Sequence, residues 1–142
     1  LACDFRIGIE GMRLRVPAAQ LGVSYYVNGL KRFVERVGPT VARRIFLLGE
    51  EISGAELLTC GYLNRMVARE GLGTATDEIA NRLTLAAPLA VQSMKRAIND
   101  ISRGCLDETA ARNAVIACFA SDDVREGAAA FAEKRPALFT GR

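Results

Sequence analysis

Histidine and tryptophan are both missing from this sequence of 142 residues. Without histidine, Ser-His and Cys-His nucleophilic catalysis and histidine-ligated metal centres are excluded. The four cysteines, Cys3, Cys60, Cys105 and Cys118, follow no metal-ligand spacing, so we expect no metal site. We interpret them as buried free thiols in a reducing compartment, and we expect a cytoplasmic protein, or an organellar one if a presequence has been removed.

Long apolar runs and a strong charge of one sign are also lacking. No stretch approaches the roughly eighteen apolar residues of a membrane span, and we recognise no signal peptide, so no membrane partner is expected. The net charge is +3 with 6% aromatic residues, too little for a nucleic-acid partner. Because Leu1 is not a start methionine and the chain opens within a strand-like pattern, we expect the N-terminus to be cut.

The first third of the chain alternates apolar and charged residues. Residues 1–10 and 12–16 predict two short strands joined at Gly11, which together indicate a hairpin. Residues 17–27 then read as a loop that passes close to other backbone. Its consecutive tyrosines, Tyr25 and Tyr26, make it the best candidate for lining a pocket.

Helix signals follow. Asn28 predicts the start of a helix, and Gly38 followed by Pro39 predicts a division between two helices. Ser53 and Glu56 have the spacing of a capping box, in which each side chain bonds the other residue's free N–H. The pattern becomes purely helical after residues 66–74, which favours one region over 1–70 and another over 71–142.

The second region predicts four consecutive amphipathic helices, a small bundle or an oligomerisation layer. Pro88 is well placed to open one helix and Gly104 to end it, with Met94, Ile98 and Ile101 facing inward.

The last helix has the clearest start and stop signals. Ser121 is a favourable N-cap residue, and Pro136 cannot continue a helix. The apolar stripe of this helix is expected to consist of Val124, Gly127, Ala128 and Phe131. Phe131 and Lys134 are three residues apart, so they could hold a flat anionic group; they could equally be a core ring and a solvated charge.

Two carboxylate pairs are the remaining catalytic candidates. Asp122 and Asp123 are adjacent on a helix and point apart, which favours a role as N-terminal helix charges. Glu50 and Glu51 follow a helix-ending glycine and are expected to be solvated. Composition and spacing alone therefore predict an α-rich α/β domain without a defined activity.

Several segments, in one order and without large gaps, resemble the C-terminal half of the enoyl-CoA hydratase/isomerase (crotonase) family. They are ACDFRI, VPAAQLGV, GLKRFVERVGP, ISGAELLTCGYLNRMV, LAAPLAVQSMKRAIN and SDDVREGAAAFAEKRPALFTGR. The resemblance implies an α/β chain that is mostly α: the end of a crotonase-type spiral core, then a helical region that mediates trimers, which often pair into hexamers.

The same resemblance implies an acyl-CoA substrate, with CoA as part of the substrate and no separate cofactor. Two backbone N–H groups stabilise an enolate-like oxyanion in this family, and by resemblance they lie before Leu1, as does the first of two glutamates. The second glutamate corresponds to Ala18, which cannot transfer a proton. Tyr25 and Tyr26 replace a Pro-Gly pair, and Phe131 with Lys134 match a ring and a lysine that contact CoA.

Three functions stay open at this point. The first is an enoyl-CoA hydratase or related lyase that is incomplete in this chain and inactive alone. The second is double-bond isomerisation or another enolate reaction that needs only one acid/base. The third is a non-catalytic scaffold that assembles through its helices.

Overall fold

The structure, a computed structural model, describes residues 1–142 as short strands and six α-helices. The strands are β1 Ile7–Ile9, β2 Arg13–Leu14, β3 Ile52–Ser53 and β4 Arg65–Val67. The helices are α1 Val27–Leu47, α2 Gly54–Thr59, α3 Leu72–Thr84, α4 Pro88–Arg103, α5 Glu108–Ala120 and α6 Asp122–Glu133. The chain is therefore mostly α, as the sequence predicts.

The chain separates into two units, Leu1–Asp77 and Glu78–Arg142, so the division lies within α3. The assignment of residues 1–70 to a spiral core and of residues 71–142 to an oligomerisation region stays a prediction. None of the helices combines the length and the apolar character needed to cross a bilayer.

The strands of the first unit pair with distant partners. β1 is parallel to β4, with Gly8 opposite Met66, whereas β2 is antiparallel to β3, with Leu14 opposite Ile52. The predicted hairpin between β1 and β2 is therefore wrong, although Gly11 does form the turn between them with φ of 77°. Local alternation predicts strands but not their partners, since pairing is decided by contacts far apart in sequence.

Helix α1 is two helical stretches divided at Gly38, whose φ of 74° and ψ of 167° are non-helical. Pro39 opens the second stretch, so the predicted division is confirmed. The N-cap residue is Tyr26 rather than Asn28, because the Tyr26 carbonyl accepts the first helical bonds from Gly29 and Leu30.

The core of the first unit lies between the two stretches of α1 and the short elements that follow. Three side chains, Ile45, Ile52 and Leu57, are fully buried. The complete buried cluster is Phe33, Val37, Ala42, Ile45, Phe46, Ile52, Leu57 and Leu63. Burial of these aliphatic and aromatic side chains is the main force that stabilises this unit.

The capping box at α2 forms on one side only. Ser53 Oγ accepts a hydrogen bond from the Glu56 N–H at 3.3 Å, as predicted. The Glu56 carboxylate instead pairs with Arg44, which also holds Glu50 through two hydrogen bonds. Glu51 pairs with Arg13 at 2.6 Å, so both Glu50 and Glu51 are ion-paired and not merely solvated.

Helix α4 begins and ends where the sequence predicts. Pro88 occupies the first turn, and Gly104 ends the helix in the left-handed conformation with φ of 67°. The prediction that Met94, Ile98 and Ile101 face inward is wrong, since Ile98 is 62% exposed and the other two side chains are exposed to a similar degree. Hydrophobic periodicity identifies the apolar face of a helix but not what covers it.

Two further predictions need correction. Cys3 and Cys105 are exposed, so the expectation of buried thiols is wrong for these two, although all four cysteines are free. Val124 and Phe131 of α6 are also exposed, and the buried positions of that helix are Asp123 and Ala130.

Helix α6 holds the C-terminal tail, residues 135–142, along its side. Ser121 is the N-cap residue, but its hydroxyl donates to the Cys118 carbonyl at 2.7 Å instead of accepting from α6. Asp123 is 4% exposed, and its carboxylate accepts from the N–H groups of Thr140 and Gly141 at 2.7 and 3.0 Å. Asp123 therefore holds the last residues of the chain against α6.

We expect Asp123→Ala to lower the free energy of unfolding by about 2 kcal/mol, because two N–H groups in part-buried hydrogen bonds lose a charged acceptor. Urea unfolding measures the loss, and amide exchange should quicken at Thr140 and Gly141. Asp122→Ala is the control, since the Asp122 side chain forms only an exposed ion pair with Arg125, and the bond from the Asp122 N–H to the Arg142 carbonyl survives the change. Equal losses in both variants would contradict the assigned role of Asp123.

Candidate functional site

The loop that carries Ala18 is fixed to the end of α1. Arg15 donates from Nε to the Gly49 carbonyl at 3.1 Å and from a terminal nitrogen to Gln20 Oε1 at 2.8 Å. Gln20 in turn donates to the Leu48 carbonyl at 3.3 Å. These bonds hold the loop in one place, so its residues have defined positions.

Ala18 itself is buried within that loop. Its carbonyl accepts from the N–H groups of Leu21 and Val23 at 3.1 and 3.0 Å, which closes a tight turn. Ala18 does not line the pocket formed beside Tyr25 and Tyr26, which we call the tyrosine pocket. No carboxylate occurs between Pro17 and Val27, so this loop contains no group that could act as a carboxylate base.

Tyr25 and Tyr26 lie side by side at the start of α1, with ring centroids 4.7 Å apart. Tyr25 also contacts Phe46 at a centroid distance of 4.8 Å, while Tyr26 is mostly exposed. A Cβ at Gly29 would lie 2.4 Å from a Tyr25 ring carbon and 2.7 Å from a Tyr26 ring carbon. Only glycine therefore lets both rings lie against the helix, a requirement that we did not predict from the sequence.

The two tyrosines form one wall of a pocket of about 200 Å³. Its lining residues, all in the first unit, are Leu1, Leu14, Val16, Tyr25, Tyr26, Gly29, Arg32, Phe33 and Tyr62. Most of the lining residues are aliphatic or aromatic, but polar atoms contribute at least as much of the pocket surface as apolar atoms do. The sequence predicts Tyr25 and Tyr26 here, but not Arg32 or Tyr62.

Burial raises the pKa of the Tyr25 phenol above 10.0, and the hydrogen bond and proximity to Tyr26 raise it further. The pKa of Tyr62 is raised by burial as well, although the nearby Arg6 opposes the shift. A phenol with an ordinary pKa of about 10 is already protonated at neutral pH, and these upward shifts leave both phenols protonated. They can donate hydrogen bonds to a ligand, but they cannot serve as bases.

Arg6 stabilises the segment behind this pocket. Its guanidinium donates to the carbonyls of Cys3 and Gly61 at 2.9 and 3.2 Å, and Nε donates to the Tyr62 carbonyl. Burial lowers the pKa of Arg6, and the positive charge of Arg36 lowers it further. Arg6 thus fixes the backbone that carries Tyr62.

The second candidate position is the end of α6, within the second unit. Phe131 is 88% exposed, and Lys134 is exposed in the turn that ends the helix. Lys134 has φ of 54°, and it is the only residue other than glycine with a positive φ. The N–H groups of Lys134 and Arg135 donate to the Phe131 and Ala130 carbonyls, the bond pattern of a Schellman motif.

Charged hydrogen bonds hold that turn in place. Arg135 donates to both carboxylate oxygens of Glu126 at 2.6 and 2.9 Å, and the Leu138 N–H donates to Glu126 at 2.8 Å. The Arg135 guanidinium, with help from the Leu138 N–H, lowers the pKa of Glu126 to about 2. Glu126 stays ionised at any physiological pH, so the turn that presents Phe131 and Lys134 is held by a permanent charge pair.

Comparison with known proteins identifies the class. The Enoyl-CoA hydratase/isomerase family matches residues 1–142, and the chain belongs to that family. A crotonyl-CoA hydratase from Syntrophomonas wolfei is 31% identical over 144 residues, covering 100% of this chain and 55% of the relative. A carnitinyl-CoA dehydratase from Salmonella paratyphi B is 30% identical over 148 residues, covering 100% of this chain and 57% of the relative.

Solved structures give the same result. The crystal structure of enoyl-CoA hydratase EchA1 from Mycobacterium marinum matches with a TM-score of 0.88 and 31% identity, covering 100% of this chain and 59% of that chain. The family resemblance seen in the sequence is confirmed, and so is a crotonase-type fold. The chain spans about half the length of the curated relatives it matches.

Proposed function

We propose that the chain is part of an enzyme that acts on acyl-CoA thioesters through an oxyanion-stabilised enolate. The observation that carries the proposal is the match of the whole chain to a family whose similar members include a crotonyl-CoA hydratase. The tyrosine pocket supports it, because its aliphatic and aromatic side chains can contact a short acyl group and its phenol hydroxyls can donate hydrogen bonds to acyl oxygens. The oxyanion amides and the first glutamate would come from segments outside this chain.

Within this proposal, Phe131 and Lys134 contact the CoA part of the substrate. An exposed aromatic ring can stack on a nucleobase, and a lysine ammonium can pair with phosphate. The backbone of Lys134 supports a ligand role, because its left-handed conformation disfavours every residue with a Cβ and favours glycine. A lysine kept in such a turn suggests that its side chain is needed.

We expect Lys134→Gly to stabilise the fold by about 1 kcal/mol, because the positive φ no longer costs energy. The same change should weaken CoA-ester binding about three- to tenfold by removing an exposed cation, and Lys134→Glu should weaken it further. Thermal unfolding and calorimetry with the full-length protein measure the two effects.

Lys31→Glu is the matched control, since Lys31 is an exposed lysine of the first unit and the change alters the net charge equally. Unchanged affinity in both Lys134 variants, or an equal loss in Lys31→Glu, would remove the CoA contact from the proposal.

Hydration and isomerisation place different demands on the Ala18 loop. Hydration adds a hydroxyl at C3 and a proton at C2, and in this family two glutamates handle the water. Isomerisation of a 3-enoyl thioester removes a proton from C2 and returns one at C4, which a single acid/base can do. Ala18 offers only a methyl group, which favours isomerisation as the second candidate reaction.

We expect the full-length protein to hydrate crotonyl-CoA about 10² to 10⁴ more slowly than an enzyme with both glutamates, because one general acid/base is missing. The rate of isomerisation of 3-hexenoyl-CoA should not be lowered in this way, because that reaction needs only one acid/base. Absorbance of the conjugated enoyl thioester follows both reactions. Rapid hydration would overturn the assignment to Ala18, and the absence of both reactions would support a non-catalytic scaffold.

We also propose that the second unit assembles copies of the chain into a trimer or hexamer. Helices α4 and α5 have no buried residue, although both carry large apolar side chains. Met94, Ile98 and Ile101 recur at one face of α4, and Ile116 and Phe119 of α5 are also exposed. Such an apolar surface is costly in water and is typical of a surface that another chain covers.

Ile98→Asp should therefore lower the oligomeric state of the protein, because a charge in the centre of a covered apolar face is left unpaired. Sedimentation equilibrium measures the mass before and after the change. Arg103→Asp adds the same side chain on a different face of α4 and should leave the mass unchanged. A monomeric parent protein at micromolar concentration would refute the assembly.

A further inference from the structure

Each polar side chain that lines the tyrosine pocket can donate hydrogen bonds, and one of these side chains is a cation. Tyr25, Tyr26 and Tyr62 contribute hydroxyls, Arg32 contributes a guanidinium, and none of the lining residues is acidic. Phenols are protonated at neutral pH, so these hydroxyls can donate hydrogen bonds to a ligand. A ligand that bears acceptor oxygens or a negative charge would satisfy these groups.

Arg32 is the group that makes the pocket favour a negatively charged ligand. It lies on α1, is exposed, and forms no ion pair or hydrogen bond within the chain. Arg13 pairs with Glu51, and Arg44 pairs with Glu50 and Glu56, whereas the Arg32 guanidinium has no such partner. Arg32 therefore places an uncompensated positive charge at a pocket that otherwise has apolar and phenolic walls.

From this arrangement we infer that the pocket binds an acyl group that ends in a carboxylate, with Arg32 as its counter-ion and the phenols as hydrogen-bond donors. This inference rests on the proposed action on acyl-CoA thioesters and adds the class of acyl group. Arginine suits the role because its planar fork matches the two oxygens of a carboxylate. The apolar side chains would contact the methylene groups between the thioester and the carboxylate.

The volume agrees with a short acyl group. A pocket of about 200 Å³ is smaller than typical ligand sites of about 300 to 1,000 Å³. It therefore favours a short acyl group, such as a dicarboxylic one of four or five carbons.

A cationic acyl group is the main competing ligand. Aromatic rings can bind a quaternary ammonium, and Tyr25, Tyr26, Phe33 and Tyr62 all line the pocket. A relative that is a carnitinyl-CoA dehydratase makes this alternative concrete. Arg32 opposes it, because an unpaired guanidinium repels a second cation in the same pocket.

Calorimetry on the full-length protein with three CoA esters tests the inference. Glutaryl-CoA and pentanoyl-CoA share a five-carbon acyl chain and differ in the terminal carboxylate, and carnitinyl-CoA supplies the cation. We expect glutaryl-CoA to bind up to about fivefold more tightly than pentanoyl-CoA, which is the upper range for a solvent-exposed charge pair. The preference should shrink as salt is added.

Arg32→Gln should abolish that preference by lowering the affinity for glutaryl-CoA to that for pentanoyl-CoA. Arg43→Gln is the matched control, because Arg43 is an exposed arginine of the same helix that does not line the pocket. Unfolding curves confirm that both variants fold.

Equal affinity for glutaryl-CoA and pentanoyl-CoA, a preference for carnitinyl-CoA, or a preference that survives Arg32→Gln would overturn the inference alone. If none of the three esters binds, the proposed function fails, and the inference fails with it.

Discussion

The edge-to-face contact between Phe33 and Phe46 is the interaction on which the first unit depends. The two ring centroids are 4.8 Å apart with an interplanar angle of 82°, a favourable aromatic geometry. Phe33 precedes the break at Gly38 and Phe46 follows it, so this contact joins the two helical stretches of α1. Tyr25 packs on Phe46 and Tyr62 packs on Phe33, which places the tyrosine pocket at the outer edge of the core. The pocket and the core are therefore built from one continuous aromatic cluster.

Local features of the fold could be predicted where a single residue determines the backbone conformation. Gly38 breaks α1, Pro88 opens α4 and Gly104 ends it, because each of these residues restricts or extends the conformations available to the chain. The strand partners could not be predicted, because β1 pairs with a segment more than fifty residues away and its own sequence carries no signal of that choice. The tyrosine pocket has both kinds of feature, one that the local sequence predicts and one that depends on the folded structure. Consecutive tyrosines in a loop indicate a site, whereas Arg32 joins it only through the geometry of α1.

For helix α6 the sequence predicts the correct starting residue but not the hydrogen bonds that the residues at the start form. The sequence locates the helix start at Ser121, but the free amide groups that need an acceptor belong to the C-terminal tail, and Asp123 supplies it. A carboxylate near a helix start is favoured by the dipole in either case, so the pattern alone cannot separate the two roles. At the other end of α6, Glu126 and Arg135 hold a turn whose left-handed residue is a lysine. Both ends of this helix are therefore fixed by charged groups that contact the tail.

The distribution of carboxylates limits what chemistry this chain can supply. Glu50, Glu51 and Glu56 pair with arginines, and Arg44 lowers the pKa of Glu50 through two hydrogen bonds. Asp123 and Glu126 are committed to the tail. A carboxylate that is already held by a cation or by N–H groups is a poor proton acceptor, because each of these partners stabilises its charged form. The tyrosine pocket contains protonated phenols and an arginine, so it is suited to binding and orienting an anionic acyl group. Removal of a proton would then require a base outside the pocket lining.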